Sequence, residues 1–290
     1  MPWDASPAQE LAIELGIAFD VAAVDRFPDR ETKLRIPAAG HVTILYATLN
    51  DPDWKLFPLL LTASALRDHG AGRIVLAAPY LSYMRQDKAF QTGEPVSQQV
   101  YAQVLSPWID RIVTIEPHLH RIKSLSEAFA TIESTSLSAE EGFVSMLGAH
   151  RNGKDRILIG PDAEAEAWTQ AIAARSNLPY AVMSKVRSGD RKVSVSLPDA
   201  VDVSDKDVVL VDDVCSSGTT LRRAAELALA RGCNRVDAMV AHALCTEEDL
   251  DGLRQSGIQR FQSIATVRHE TNAVSAAGIL ADALRKEVKG

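Results

Sequence analysis

Nowhere does this chain run for about 18 apolar residues without interruption, so no membrane-spanning helix is expected. Its opening, MPWDASPAQELAIELG, lacks the basic stretch and the long apolar core of a secretory signal, which points to a cytosolic protein. Cysteine is scarce: Cys215, Cys233 and Cys245 offer no Cys-x-x-Cys spacing, which argues against a zinc site or a disulfide framework and for free, space-filling thiols. Positive charge is in deficit, with 31 Lys and Arg against 38 Asp and Glu and a pI near 5.5, so no nucleic-acid footprint is expected. No low-complexity segment suggests a disordered arm.

What remains is a chain of 290 residues, 46% hydrophobic and 24% charged, enough for two domains with ample core. Short apolar runs alternate with helix-period stretches. HVTILYATL (41–49), RIVLAAP (73–79) and RIVTIE (111–116) are separated by helix-like segments at 54–69 and 96–106. The second half repeats the rhythm with strands at 156–161, 180–184, 207–213 and 235–243, helices at 163–175 and 218–231, and a closing amphipathic helix at 271–287. Such βαβ alternation implies parallel strands covered by helices. LTASALRDHGAGRIVLAAPYL (61–81) and LRRAAELALARGCNRVDAMVAHAL (221–244) form a faint repeat, in which Gly70 and Gly232 suit a left-handed helix end before each strand. The polar stretch 131–154 separates the halves, and the boundary is set between 145 and 146.

The strongest local signal is VVLVDDVCSSGTTL (208–221), an apolar strand that ends in two acids and passes through a small-residue loop straight into a helix. In open α/β sheets ligands sit beyond the carboxyl ends of strands. A helix N-terminus there offers unpaired N–H groups and partial positive charge to an anion. Ser216, Ser217, Thr219 and Thr220 add hydroxyls, and Gly218 permits close backbone approach. Asp212 and Asp213 sit too near a bare phosphate for comfort, so they are expected to face sugar hydroxyls or a bridging metal ion.

This stretch resembles the ribose-5-phosphate loop shared by type I phosphoribosyltransferases and ribose-phosphate pyrophosphokinases. Three further segments resemble the pyrophosphokinases alone. PYLSYMRQDKAFQTGEPVS (79–97) is similar to their Pro-Tyr-x-x-Tyr-x-Arg-Gln-Asp segment, which implies that Arg85, Gln86 and Asp87 hold ATP. RFPDRE (26–31) resembles their adenine loop, mapping onto Phe27, Asp29 and Glu31. RIVTIEPHLH (111–120) resembles their strand ending in Asp-Leu-His, which makes His118 a metal or phosphate ligand. Two segments extend the likeness: ILIGPDAEAEAW (157–168) offers Asp162 as a ligand for Mg²⁺ or a ribose hydroxyl, and SKVRSGDRK (184–192) places Lys185 and Arg187 on a loop that folds over the reacting phosphates, with Gly189 and Asp190 at its tip. The chain departs from the family pattern at Arg30 (usually Gly), Glu116 (usually Asp), Ser216 (often Asp) and Glu164–Ala165 (usually Gly-Gly).

The resemblance implies an α/β protein of two tandem phosphoribosyltransferase-type, Rossmann-like domains, with ATP held by residues 1–145 and ribose 5-phosphate by 146–290. It further implies Mg²⁺ and a homo-oligomer, with transfer of the terminal diphosphate of ATP to the sugar. Two other readings stay open at this point. A phosphoribosyltransferase would use the same cradle without the segments at 26–31 and 79–97, and a non-catalytic regulatory homologue would keep the fold and lose the loop chemistry.

Overall fold

The computed structural model describes residues 1–119, 121–148, 155–188 and 192–288, of which 185–188 and 192–195 are described by their backbone alone. The chain divides into two compact units, Met1–Ser138 with Ala276–Gly290, and Ala139–Ser275. Both are α/β, and the described strands of each main sheet run parallel.

The first unit opens with α1 (Ala5–Leu15) and an antiparallel hairpin, β1 (Ala23–Arg26) with β2 (Thr32–Arg35). Its sheet lays β3 (Val42–Tyr46), β4 (Arg73–Ala78), β5 (Arg111–Ile115) and β6 (Glu133–Leu137) side by side in chain order. Right-handed crossovers that always step in one direction put their helices on one face. There α2 (Pro52–Asp68), α3 (Ser97–Leu105) and α4 (Leu125–Ala128) pack Leu59, Leu66, Tyr101, Leu105 and Leu125 against Leu45, Ile74, Leu76 and Ile112. The alternate residues Val75, Ala77, Val113 and Ile115 are just as buried, because strands covered on both faces read as unbroken apolar runs.

The second unit contains α5 (Glu140–Gly148), β7 (Arg156–Gly160), α6 (Glu166–Ser176), β8 (Tyr180–Val182), the antiparallel ribbon β9 (Ser184–Ser188) and β10 (Lys192–Ser196), and β11 (Asp207–Cys215). It continues through α7 (Thr219–Ala230), β12 (Arg235–Ala243), α8 (Glu247–Gln255), β13 (Ile258–Ile264) and β14 (Asn272–Val274). Its six-stranded order is β14-β13-β12-β11-β7-β8. From β7 the chain steps outward to β8, then returns to β11 on the other side and continues the opposite way. The strand order therefore reverses between β7 and β11, and a sheet of this kind opens a crevice at the carboxyl ends of the two strands where it reverses.

The last helix, α9 (Ala277–Val288), departs from the sequence expectation. Read as the close of the second half, it instead packs on β5 and β6 of the first unit and lies beside α1. Periodicity gives α9 an apolar face of Ala277, Leu280, Ala281 and Leu284 but cannot say which sheet needs covering. One-directional winding leaves the first sheet with a bare face, and α9 covers it over β5 and β6. The segment 131–154 likewise proves structured in part, since β6 belongs to the first sheet and α5 to the second unit.

An ion-pair cluster fastens α9. Glu287 accepts from Arg111 Nη1 through Oε1 and from Arg73 Nε through Oε2, both at 2.7 Å, and Arg111 also reaches the Ala283 carbonyl at 3.3 Å. The Arg111 and Glu287 side chains are only 3% and 6% exposed. The two guanidiniums hold the Glu287 carboxyl below its ordinary range, the Arg73 hydrogen bond contributing most. A depressed carboxylate contributes stability that is present above its ordinary range and lost as pH falls through the lowered value. Glu287→Ala is expected to cost about 3–5 kcal/mol at pH 7, because it strands a buried guanidinium. Chemical denaturation should show that loss at pH 7 and a smaller one once the pH has fallen through the lowered value, where the wild-type carboxylate is itself protonated.

Candidate active site

At the end of β11 the backbone passes from Cys215 through Ser216 and Ser217 to Gly218, which caps α7 in the left-handed region at φ 67°. Two constraints select glycine there. A side chain would be strained at that φ, and a Cβ would sit 3.0 Å from Cδ2 of Leu253 on α8. The Ser217 and Thr219 hydroxyls stand 3.0 Å apart, Ser217, Thr219 and Thr220 are exposed, and Ser216 is half-buried. No acid occupies the first turn of α7, so its positive end has no built-in anion.

Three carboxylates gather beside this loop at the reversal point. The register pairs Ile159 of β7 with Leu210 of β11, so the chain leaving β7 runs alongside Asp212 and Asp213. Asp212 accepts the Asp213 N–H at 3.0 Å, and Asp162 accepts the Glu164 N–H at 3.1 Å while Glu164 itself is exposed. Burial pushes the Asp212 carboxyl well above its ordinary range, and the charges of Asp213 and Asp162 push it further. Among the described residues no three His, Cys, Asp or Glu side chains converge closely enough to hold a metal ion alone. The donor set still fits Mg²⁺, which typically takes one or two carboxylates together with phosphate oxygens and water.

Around this centre the packing is closed. On β12, His242 is 1% exposed and its Nδ1 lies 2.8 Å from the Thr266 hydroxyl. That hydroxyl donates to the Ala241 carbonyl, so it accepts from Nδ1–H and fixes the tautomer. All three cysteines are buried and free. The thiols of Cys215 and Cys245 touch beneath the loop, a hydrogen bond that holds Cys245 low and, together with burial, Cys215 high. Lys185 and Arg187, expected on a flexible loop, lie in β9 of an antiparallel ribbon, opposite Val195 and Val193. The expected tip, Gly189 and Asp190, lies outside the described residues.

In the first unit the β1–β2 hairpin carries Phe27, Asp29 and Glu31 at its exposed tip. Arg30 N–H donates to the Phe27 carbonyl at 2.8 Å, and Phe27 N–H to the Glu31 carbonyl at 2.9 Å. This is a type I turn followed by a left-handed residue, the geometry that favours glycine at its last position. Arg30 occupies it at φ 73°, a backbone cost of about 1–2 kcal/mol that explains why glycine is the usual residue. Asp29 ties the turn by accepting the Glu31 N–H at 3.1 Å, and Lys33 lies 5.8 Å from the Phe27 ring.

The segment after β4 separates the residues expected to hold ATP. Asp87 is ion-paired with Arg121 at 2.6 Å, and Gln86 accepts from the Ser97 hydroxyl and donates weakly to Glu94 at 3.5 Å. Glu94 also gathers the Phe90 and Gln91 N–H groups at 2.8 and 3.2 Å, so it ties the loop into one piece. Arg85 is exposed and pairs with no described carboxylate, which leaves its charge available. After β5, Glu116 and His118 hold left-handed backbone at φ 37° and 55°, and His118 is half-buried. Strain of this kind costs of order 1–3 kcal/mol per residue and is concentrated at ligand sites.

Two cations escaped the sequence reading. Arg121 seals Asp87, and no local spacing announced that long-range pair. Arg222 reaches back to the Ser217 carbonyl at 3.4 Å and the Thr219 hydroxyl at 3.3 Å, a contact that its place three residues after Thr219 on a helix could have suggested.

Residues 4–107 match the model of the N-terminal domain of ribose phosphate pyrophosphokinase, and residues 144–256 match the phosphoribosyl transferase domain. The chain is 31% identical to the ribose-phosphate pyrophosphokinase of Methanopyrus kandleri over 95% of this chain and 94% of that protein. It is 30% identical to that of Methanothermobacter thermautotrophicus, over 90% of each. The fold superposes on the crystal structure of phosphoribosylpyrophosphate synthetase from Mycobacterium smegmatis with a TM-score of 0.81 at 23% identity, covering 98% of this chain and 95% of that one.

The carboxylate cluster has a measurable consequence. A raised carboxyl binds its proton more tightly in the folded chain than in the unfolded one, so its contribution is complete below about pH 4 and drains away as pH rises through the raised value. Asp212→Asn is therefore expected to leave the melting temperature unchanged near pH 4 and to raise it at pH 7.5 in chelator. Equal shifts at both pH values would show that the charge cluster is not the cause.

Proposed function

The chain belongs to the ribose-phosphate pyrophosphokinase family, and from that premise we propose that it transfers the β,γ-diphosphate of ATP to the 1-hydroxyl of ribose 5-phosphate, yielding phosphoribosyl pyrophosphate and AMP. The observation that carries the reading is likeness over nearly the whole length, which includes the segments that a phosphoribosyltransferase has no use for. The reaction is chemically demanding because it concentrates negative charge. The sugar O1 forms a bond to the β-phosphorus of ATP, the bond from that phosphorus to the bridging oxygen of AMP breaks, and the O1 proton passes to solvent. Positioning and charge neutralisation supply the catalysis.

The residues divide that work. Phe27, Asp29 and Glu31 receive the adenine end of ATP, the ring by contact with Phe27 and the amine by the two carboxylates. Arg85 takes phosphate oxygens, while Gln86 and Asp87, already held by Ser97 and Arg121, shape the loop that presents it. In the second unit Ser216, Ser217, Gly218, Thr219 and Thr220 cradle the 5-phosphate at the α7 N-terminus, and Asp212 and Asp213 accept hydrogen bonds from the ribose hydroxyls. Lys185 and Arg187 neutralise charge on the transferring diphosphate, as catalytic residues. Mg²⁺, when bound, shields the phosphate oxygens and polarises the β-phosphorus. In the second unit Asp162 would be a protein ligand to it, beside an Asp212 carboxyl whose raised value a cation would relieve, and in the first unit His118 is proposed separately as a metal ligand. Assembly with copies of itself and a cytosolic location belong to the same reading.

The product distinguishes the alternatives. With Mg²⁺, ATP and ribose 5-phosphate, AMP and phosphoribosyl pyrophosphate are expected one for one. Stoichiometric ADP would overturn the assignment, pyrophosphate released from added phosphoribosyl pyrophosphate and a base would indicate a phosphoribosyltransferase, and no turnover at all would favour a regulatory homologue. Lys185→Ala is expected to lower kcat at least about 100-fold, roughly 2.7 kcal/mol in the barrier, with ATP affinity little changed. Normal turnover in that variant would remove the ribbon from the mechanism.

A further inference from the structure

A cation at the N-terminal turn of a helix opposes the helix dipole and is ordinarily unfavourable. Arg222 lies there nonetheless, and it does not extend away. Its Nη2 bridges the Ser217 carbonyl at 3.4 Å and the Thr219 hydroxyl at 3.3 Å, while its own N–H donates to the Gly218 carbonyl at 2.9 Å. The seat is shaped by α8. A Cβ on Gly252 would lie 2.8 Å from Arg222 Nη1, so glycine leaves the room in which the guanidinium rests. One residue further, Leu253 packs on Gly218, so the loop and its arginine lie against consecutive positions of α8. The arginine charge also lowers the Asp249 carboxyl, after the larger effect of hydrogen bonds from Thr246. Asp249 is occupied by that capping box, which leaves the guanidinium near a carboxylate yet hydrogen-bonded to the loop.

We propose that Arg222 is a positioning residue that sets the affinity for the 5-phosphate and hence the preference for a phosphorylated over a free pentose, an inference that rests on assigning the 213–220 loop to the sugar phosphate. The guanidinium holds the Thr219 hydroxyl and the Ser217 carbonyl in one geometry and adds a full positive charge beside the helix end. Together these favour a dianion far more than a neutral hydroxymethyl group. Both contacts come from Nη2 alone, whose two N–H bonds are fixed in the guanidinium plane, a directionality that the freely rotating ammonium of lysine does not hold.

Calorimetry and steady-state kinetics on the full chain test this. Arg222→Gln is expected to weaken ribose 5-phosphate binding and raise its KM about 10- to 100-fold, the worth of one charge-assisted hydrogen-bonding group, with the KM for MgATP within about 2-fold of wild type. Arg222→Lys should recover only part of the loss. Gly252→Ala keeps the charge but displaces it, and should raise the KM for ribose 5-phosphate several-fold with a near-normal kcat. An unchanged ribose 5-phosphate affinity in Arg222→Gln, or equal losses for both substrates, would overturn the proposal. If wild-type protein makes no phosphoribosyl pyrophosphate, the functional assignment fails separately. Direct binding of ribose 5-phosphate and ribose then still decides on Arg222: a preference for the phosphorylated sugar that Arg222→Gln abolishes supports it, and no preference in wild type refutes it.

Discussion

The second unit is organised around three neighbouring carboxylates, and burial together with their mutual charge holds the Asp212 carboxyl up. Asp212 and Asp213 lie near the carboxyl end of β11, Asp162 follows the neighbouring β7, and the strand order reverses between those strands, so three carboxylates stand close together. Beside them the α7 end carries hydroxyls, a left-handed glycine and a guanidinium, all suited to an anion. On the proposed reading, a sugar phosphate would supply hydroxyls to the acids and oxygens to the anion site, which relieves both. That reading asks for a ligand with two chemically opposite ends.

Much of the fold was legible in the sequence because parallel strands buried on both faces announce themselves. RIVLAA, RIVTI, RILIG and DVVLV became strands close to the expected limits, and Gly70 and Gly232 adopt the left-handed φ values of 99° and 81° that the repeat required. What failed were elements whose identity depends on distant partners. The strand at Glu133–Leu137 is polar and stood in a presumed connector, yet it pairs with β5 at the sheet edge, where one side needs no apolar cover. The ribbon at 184–196 read as a charged loop because alternation of Lys and Arg with Val and Ser does not reveal its own pairing. The site fared similarly. The loop after β11 was readable as a contiguous string, whereas the Asp87–Arg121 pair and the seat of Arg222 on α8 are products of tertiary packing alone.

The departures from the family pattern take on physical meaning in the fold. Arg30 keeps the hairpin tip in a conformation that costs it strain, and Glu116 shares left-handed backbone with His118 two residues on. Glu164 stands exposed on the turn that Asp162 caps, which leaves its carboxylate accessible to solvent. Ser216 is half-buried where an acid is often found, so the loop carries less negative charge next to the proposed phosphate.

The return of α9 to the first sheet reverses the order in which the chain can be finished. As synthesis proceeds, residues 139–275 emerge complete while one face of β5 and β6 still lacks α9, for on the order of 10 s at ordinary elongation rates. The half that is translated first is the half that matures last. During that interval Val113 and Ile115 of β5 lack their final cover, and Arg111 awaits a carboxylate more than 170 residues away. A stalled or clipped chain that ends before Ala276 would therefore expose a β-sheet surface prone to association, and a nascent-chain chaperone would find its binding site in the first unit rather than the second.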